Sequence, residues 1–128
     1  MSGLLLDTQI LLWWLAEDPK LPFWMRQHLA LPETPCYVSA ASLWEIGIKR
    51  QLGKLDAPDG LTAIIAEEGF RRLNITFEHA ETAASLPLYH RDLFDRMLVA
   101  QAVIESLTMV TVDPLFGGYS VQVLQPTA

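Results

Sequence analysis

At 128 residues the chain has the length of one ordinary domain, and 51% hydrophobic against 19% charged residues is a composition for a packed core, which argues against an intrinsically disordered chain. The single cysteine, Cys36, excludes an internal disulfide framework and a multi-cysteine zinc site. A formal charge of -6 is not the footprint of bulk electrostatic binding to nucleic acid, and no apolar run approaches the ~18 residues of a membrane span.

In chain order, Gly3 to Leu6 is an apolar run too short for a helix and reads as a buried strand ending at Asp7. Thr8 is placed to cap a helix over Gln9–Ala16, which carries Ile10, Leu11, Trp14 and Leu15 at helical spacing. Asp18-Pro19 stops it, and Pro22 opens a second helix running to about Leu31. Cys36 to Ser39 reads as a second strand, with Cys36 as a small buried hydrophobe. Ser39 caps a helix over Ala40–Gln51, and Gly53 sits where helices stop. A helix from Pro58 to near Gly69, a strand over Leu73–Ile75 and a short helix over Glu78–Leu86 follow. Arg91-Asp92-Leu93-Phe94-Asp95 leads into an apolar helix over Arg96–Ser106. Thr108 to Val112 reads as a strand ending at Asp113-Pro114, Gly117-Gly118 as a turn, and Val121 to Leu124 as the last strand. Strands alternating with helices predict an α/β fold with a mostly parallel sheet between helices, and nothing resembling a linker or repeat divides residues 1–128 into more than one domain.

In parallel sheets ligands bind beyond the carboxyl ends of the strands. Asp7 and Asp113 each follow a predicted strand, and Asp95 stands where a helix begins. Glu45 lies in the apolar stretch Ser42-Leu43-Trp44-Glu45-Ile46, where an acid is costly unless paired, solvated in a cleft or bound to metal. Each also has a structural explanation. Asp7 fits a helix cap, Asp95 a favourable helix dipole, Glu45 an ion pair with Lys49 and Asp113-Pro114 a turn. Three of the four nevertheless fall at element edges on one expected end of the sheet. Converging carboxylates without Cys or a His-ligand spacing suit Mg²⁺ or Mn²⁺ better than Zn²⁺.

The segments Leu4-Leu5-Leu6-Asp7-Thr8, Ser39-Ala40-Ala41-Ser42-Leu43-Trp44-Glu45-Ile46, His90-Arg91-Asp92-Leu93-Phe94-Asp95-Arg96-Met97-Leu98-Val99-Ala100-Gln101-Ala102 and Val110-Thr111-Val112-Asp113 together resemble a PIN domain. The chain is most similar to the VapC-type toxin ribonucleases of bacterial toxin–antitoxin pairs, from Leu4 to about Leu124. No one segment is specific; the four in this order are. The resemblance implies a PIN-like sheet of four to five short strands flanked by helices. It implies Asp7, Glu45 and Asp95 as inner metal ligands and Asp113 as a direct or water-mediated one. Thr8 and Thr111 match hydroxyl residues beside the first and last acids; Asp92 is either a further site residue or a helix cap. The implied activity is Mg²⁺- or Mn²⁺-dependent endoribonuclease cleavage leaving a 5′ phosphate and a 3′ hydroxyl. A non-cleaving PIN scaffold that binds RNA or a protein is the alternative.

Implied partners are RNA, an antitoxin protein and a second copy of the chain. Leu11, Leu12, Trp13, Trp14 and Leu15, with Phe23 and Trp24, exceed what one buried face needs and are candidates for an exposed partner surface. Lys49, Arg50, Lys54, Arg91 and Arg96 are candidates for an RNA groove, or are solvated residues at helix ends. His28, His79 and His90 share no metal-ligand spacing and read as surface or loop residues, with His90 near enough to Asp95 in sequence to approach the site. Two other acid-bearing α/β classes fit less well. A haloacid dehalogenase-type phosphatase needs a second Asp where Gln9 stands, and a phosphoreceiver needs a late Lys, whereas none follows Lys54. The first nineteen residues hold no Lys or Arg, so no basic segment of a signal peptide precedes Ile10–Ala16, and a cytoplasmic protein is expected.

Overall fold

A computed structural model describes residues 3–126, so the two residues at each end of the predicted 1–128 domain lie outside the described residues. Among the described residues five strands form one sheet in the order β3-β2-β1-β4-β5. They are β1 (Leu4–Leu6), β2 (Cys36–Ser39), β3 (Arg71–Leu73), β4 (Thr108–Val110) and β5 (Val123–Leu124). All four pairings are parallel, with Leu4 opposite Cys36 on one side and opposite Thr108 on the other. Among the described residues six α-helices flank the sheet: α1 (Thr8–Leu15), α2 (Phe23–Leu29), α3 (Ala40–Gln51), α4 (Leu61–Glu67), α5 (Phe77–Ser85) and α6 (Leu93–Glu105).

The two-residue side-chain period of a strand divides the core into two layers. Leu4, Leu6, Val38 and Val110 face one layer, with Ile10 and Leu11 of α1, Met25 and Leu29 of α2 and Ile65 of α4. Leu5 and Met109 face the other, with Leu98, Val99 and Ala102 of α6 and with Phe116. Parallel strands covered on both faces carry continuous apolar sequence rather than alternation, which explains Leu4-Leu5-Leu6. After β1 the chain moves outward through β2 and β3, then returns to the other side of β1 as β4. The switch point between β1 and β4 opens a crevice at their carboxyl ends, directly after Leu6 and Val110.

Local structure corrects several expected boundaries. Asp7 rather than Thr8 caps α1: its Oδ1 accepts the Ile10 N–H at 2.8 Å, and Thr8 is the first helical residue. Pro22 stands in extended conformation just before α2 rather than within its first turn. The predicted helix from Pro58 begins only at Leu61, after Gly60 at φ 70°, a left-handed conformation that glycine adopts without steric cost. The third strand is Arg71–Leu73 instead of Leu73–Ile75, because Arg71 and Arg72 occupy an exposed edge where polarity is tolerated. The helix predicted from Arg96 begins at Leu93, with Asp92 as its cap. The fourth strand ends at Val110 instead of Val112, and the last keeps only Val123 and Leu124. Between them Pro114–Gly118 forms a 3₁₀ helix that buries Phe116 completely.

The apolar surplus of α1 is mostly internal. Leu11 is fully buried, and Leu12, Trp13, Trp14 and Leu15 pack against the core. Trp14 meets Phe70 edge-on at 5.2 Å, and the Arg26 guanidinium covers its ring while donating to the Trp13 carbonyl at 2.9 Å. Of that surface, Phe23 and Trp24 on α2 remain exposed. Cys36 is buried as expected, and desolvation pushes its thiol up to about 11. No described helix is long and apolar enough to cross a membrane.

Candidate metal centre

Asp7, Glu45, Asp95 and Asp113 come from four different elements and line one cleft of about 280 Å³, together with Thr8, Lys49 and Asp92. Asp7 leaves the end of β1, at the switch point. Its Oδ1 is committed to the α1 cap, and its Oδ2 accepts a hydrogen bond from the Thr111 hydroxyl. The Thr111 oxygen in turn accepts the Asp113 N–H at 3.0 Å, so one buried hydroxyl ties the first and last acids together. Thr8 donates to Ser42 on α3 at 3.0 Å and fastens α1 to the helix that carries Glu45. Asp113 caps the 3₁₀ helix through the Leu115 N–H at 2.9 Å. Asp92 caps α6 by accepting the Asp95 N–H at 3.0 Å, which places Asp95 one turn into the helix and facing the cleft.

Crowding and burial leave these carboxylates electrostatically unsatisfied. Burial is the main cause that pushes the Asp7 carboxyl up to about 6, opposed by the bonds from Thr111 and Ile10 and reinforced by Asp113 and Glu45. Asp95 rises to about 7, chiefly through burial and the neighbouring Asp92, with His90 opposing the shift. Glu45 is only 5% exposed, yet its Oε1 has no hydrogen-bond partner, while its Oε2 accepts from Lys49 Nζ at 2.7 Å. The ion pair that the i, i+4 spacing allowed is formed, and it closes over a buried acid; Glu45 holds the Lys49 ammonium above its ordinary pKa. An unpartnered buried oxygen beside two acids with raised pKa values is a donor set suited to a hard divalent cation.

The other basic candidates separate. Arg50 pairs with the exposed Asp59 at 2.7 Å, while Arg91 and Lys54 are exposed. Arg96 is buried, contrary to a role in an open groove. Its guanidinium donates to the carbonyls of Ala83, Leu86, Pro87 and His90 at 2.7 to 3.4 Å. Of the histidines, His79 departs from the surface or loop position expected of it, whereas His90 lies in the loop before α6 and does approach the site. His79 is fully buried; its Nδ1 accepts the Thr76 N–H and its Nε2 lies 2.9 Å from Glu105. His90 is buried at the cleft, its Nε2 2.8 Å from both Asp95 Oδ2 and Asp113 Oδ2. His90, Asp95 and Asp113 each present a ligand atom, all within 4.8 Å of one another. Proximity to Asp95 in sequence was the one signal for His90; its reach to Asp113 depends on the fold.

The PIN domain family profile matches residues 4–120. No curated protein sequence matches the chain. Among solved structures it is similar to a chain of a toxin–antitoxin complex from Klebsiella pneumoniae, at 23% identity and TM-score 0.69, covering 98% of each chain. It is likewise similar to a chain of VapBC2 from Rickettsia felis bound to a promoter DNA fragment, at 15% identity and TM-score 0.73, covering 98% of each. A third is DNA-bound VapBC from Salmonella typhimurium, at 15% identity and TM-score 0.72, covering 99% of this chain and 100% of that one. These identities speak for the fold alone, but the profile spans nearly the whole sequence and takes in all four acids: the chain belongs to the PIN domain family.

Proposed function

We propose that this protein is a metal-dependent endoribonuclease, the VapC-type toxin of a toxin–antitoxin pair, acting in the cytoplasm. The observation that carries this reading is the convergence of Asp7, Glu45, Asp95 and Asp113 in one cleft, with a buried Glu45 oxygen left unpartnered. Those four residues would hold Mg²⁺ or Mn²⁺, with Thr8, Thr111 and Asp92 in support. The cation, when bound, lowers the pKa of water and stabilises negative charge on the phosphate under attack. The protein's own part is positional. Thr111 orients Asp7 and fixes the start of the Asp113 turn, and Asp92 sets the first turn of α6 so that Asp95 faces the cleft. Lys49 lies along the cleft as a positive charge paired with Glu45, and would be placed there to meet an RNA phosphate.

The similar structures are toxin–antitoxin complexes, and this supports an antitoxin as partner; a homodimer belongs to the same proposal. Purified, antitoxin-free protein should cut some members of a panel of structured and single-stranded RNAs with Mg²⁺ or Mn²⁺, and none with EDTA. Asp95→Asn and Glu45→Gln should abolish cutting while keeping a cooperative melt. Full cleavage by Asp95→Asn with normal metal dependence would overturn the assignment. Metal binding without cleavage of any RNA would favour the non-cleaving scaffold.

A further inference from the structure

His90 stands outside the four-acid set, yet it is the side chain on which two of those acids converge. The segment between α5 and α6 delivers it and is held rigidly. The His90 N–H donates to the Tyr119 hydroxyl at 2.7 Å, and that hydroxyl donates to the Pro87 carbonyl at 2.9 Å. Arg96 gathers the carbonyls of Leu86, Pro87 and His90 in the same segment, and that of Ala83 in the last turn of α5. Phe116 packs edge-on to the imidazole at 5.6 Å. The ring therefore has little freedom to rotate.

Its tautomer follows from its partners. Nδ1 accepts the Asp92 N–H at 3.3 Å, which places the ring proton on Nε2. Nε2 then points between Asp95 Oδ2 and Asp113 Oδ2, each 2.8 Å away. Asp113 Oδ1 is already occupied by the Leu115 N–H, so Oδ2 is the oxygen it offers to the cleft. Asp95 and Asp113 arrive from a helix and from a short turn after β4, and like charge would drive them apart.

We propose that His90 is a positioning residue of the metal centre: its Nε2–H holds the Asp113 carboxylate at a set spacing from Asp95, so that both are preorganised for one cation. This deepens the nuclease reading and rests on it. Partners that orient ligand side chains in this way typically contribute about 10–100-fold to metal affinity or activity.

Mn²⁺ affinity by electron paramagnetic resonance, melting in EDTA and RNA cleavage would be measured on wild type, His90→Ala, His90→Gln, His90→Asn and Asp95→Asn. Glutamine can place an amide N–H near the Nε2 position; asparagine reaches only the Nδ1 position. His90→Ala and His90→Asn should bind Mn²⁺ about 10–100-fold more weakly, with His90→Gln recovering most of the loss. Should His90→Ala fail to fold, the contrast between Gln and Asn carries the test. A purely structural His90 would lower melting in EDTA and leave the Mn²⁺ affinity of the folded variants unchanged, which overturns the proposal. A Gln variant as weak as Ala also overturns it, because an N–H donor at the Nε2 position would then fail to restore the site. If wild type binds no Mn²⁺, the nuclease reading fails and the role of His90 falls with it. If Asp95→Asn loses binding while every His90 variant keeps it, only the role of His90 fails.

Discussion

Replacing Asp7 by Asn should stabilise the metal-free protein at neutral pH while removing its activity. The folded carboxyl titrates at about 6 against an ordinary value of 3.8, so folding favours its protonated form. That difference between the folded and ordinary values corresponds to about 3 kcal/mol. The sign follows from proton linkage. Below the unfolded value the group is protonated in both states and costs nothing. As pH rises through the folded value the penalty for ionising it in place becomes complete. Asparagine keeps an oxygen for the Ile10 N–H but cannot accept from the Thr111 hydroxyl, a loss of about 1 kcal/mol. The expected net gain is about 2 kcal/mol above pH 7, roughly 8 °C in Tm for a chain of this size. It should vanish near pH 4, where the variant becomes equal or slightly weaker. Urea unfolding in EDTA from pH 4 to 8 measures it. A variant that loses stability at pH 8 and matches wild type at pH 4 has the opposite sign and refutes the reasoning. Added Mn²⁺ should reverse the ranking by mass action, contributing about 2.7 kcal/mol to wild type at a hundred times its Kd.

Further consequences concern the surrounding scaffold. Arg96→Met leaves four carbonyls without their donor and should cost about 3 kcal/mol or more in urea unfolding, far beyond a surface arginine. Thr76→Ala removes the side-chain half of the capping box that Thr76 shares with His79, and should lower stability by about 1 kcal/mol without changing Mn²⁺ affinity. Lys49→Met leaves the buried Glu45 carboxylate without its charge partner; metal-free stability should fall by about 1–3 kcal/mol, and Mn²⁺ titration should show tighter binding because no ammonium competes.

Much of the molecule was legible in the chain. Apolar triplets ending in an acid, helix caps such as Ser39, and glycine or proline at element ends are local signals, governed by backbone geometry and hydrogen bonding within a few residues. They announced the parallel α/β fold and placed Asp7 and Asp113 after strands. Short edge elements were less legible, because β3 and β5 owe their limits to a neighbouring strand rather than to their own sequence.

The fates of Arg96, His79 and His90 were decided by tertiary structure. A charged or polar side chain near a helix end reads as solvated, since in isolation burial is costly and water is the nearest partner. The packing of α5 on α6 instead supplies Arg96 with four carbonyls, and the return of the chain after β4 brings Asp113 to His90 across 23 residues. Each acid could be located along the sequence and their convergence expected, but their burial could not. The raised pKa values of Asp7 and Asp95 and the orphaned Glu45 oxygen arise because four separate segments meet in one cleft and bury these groups.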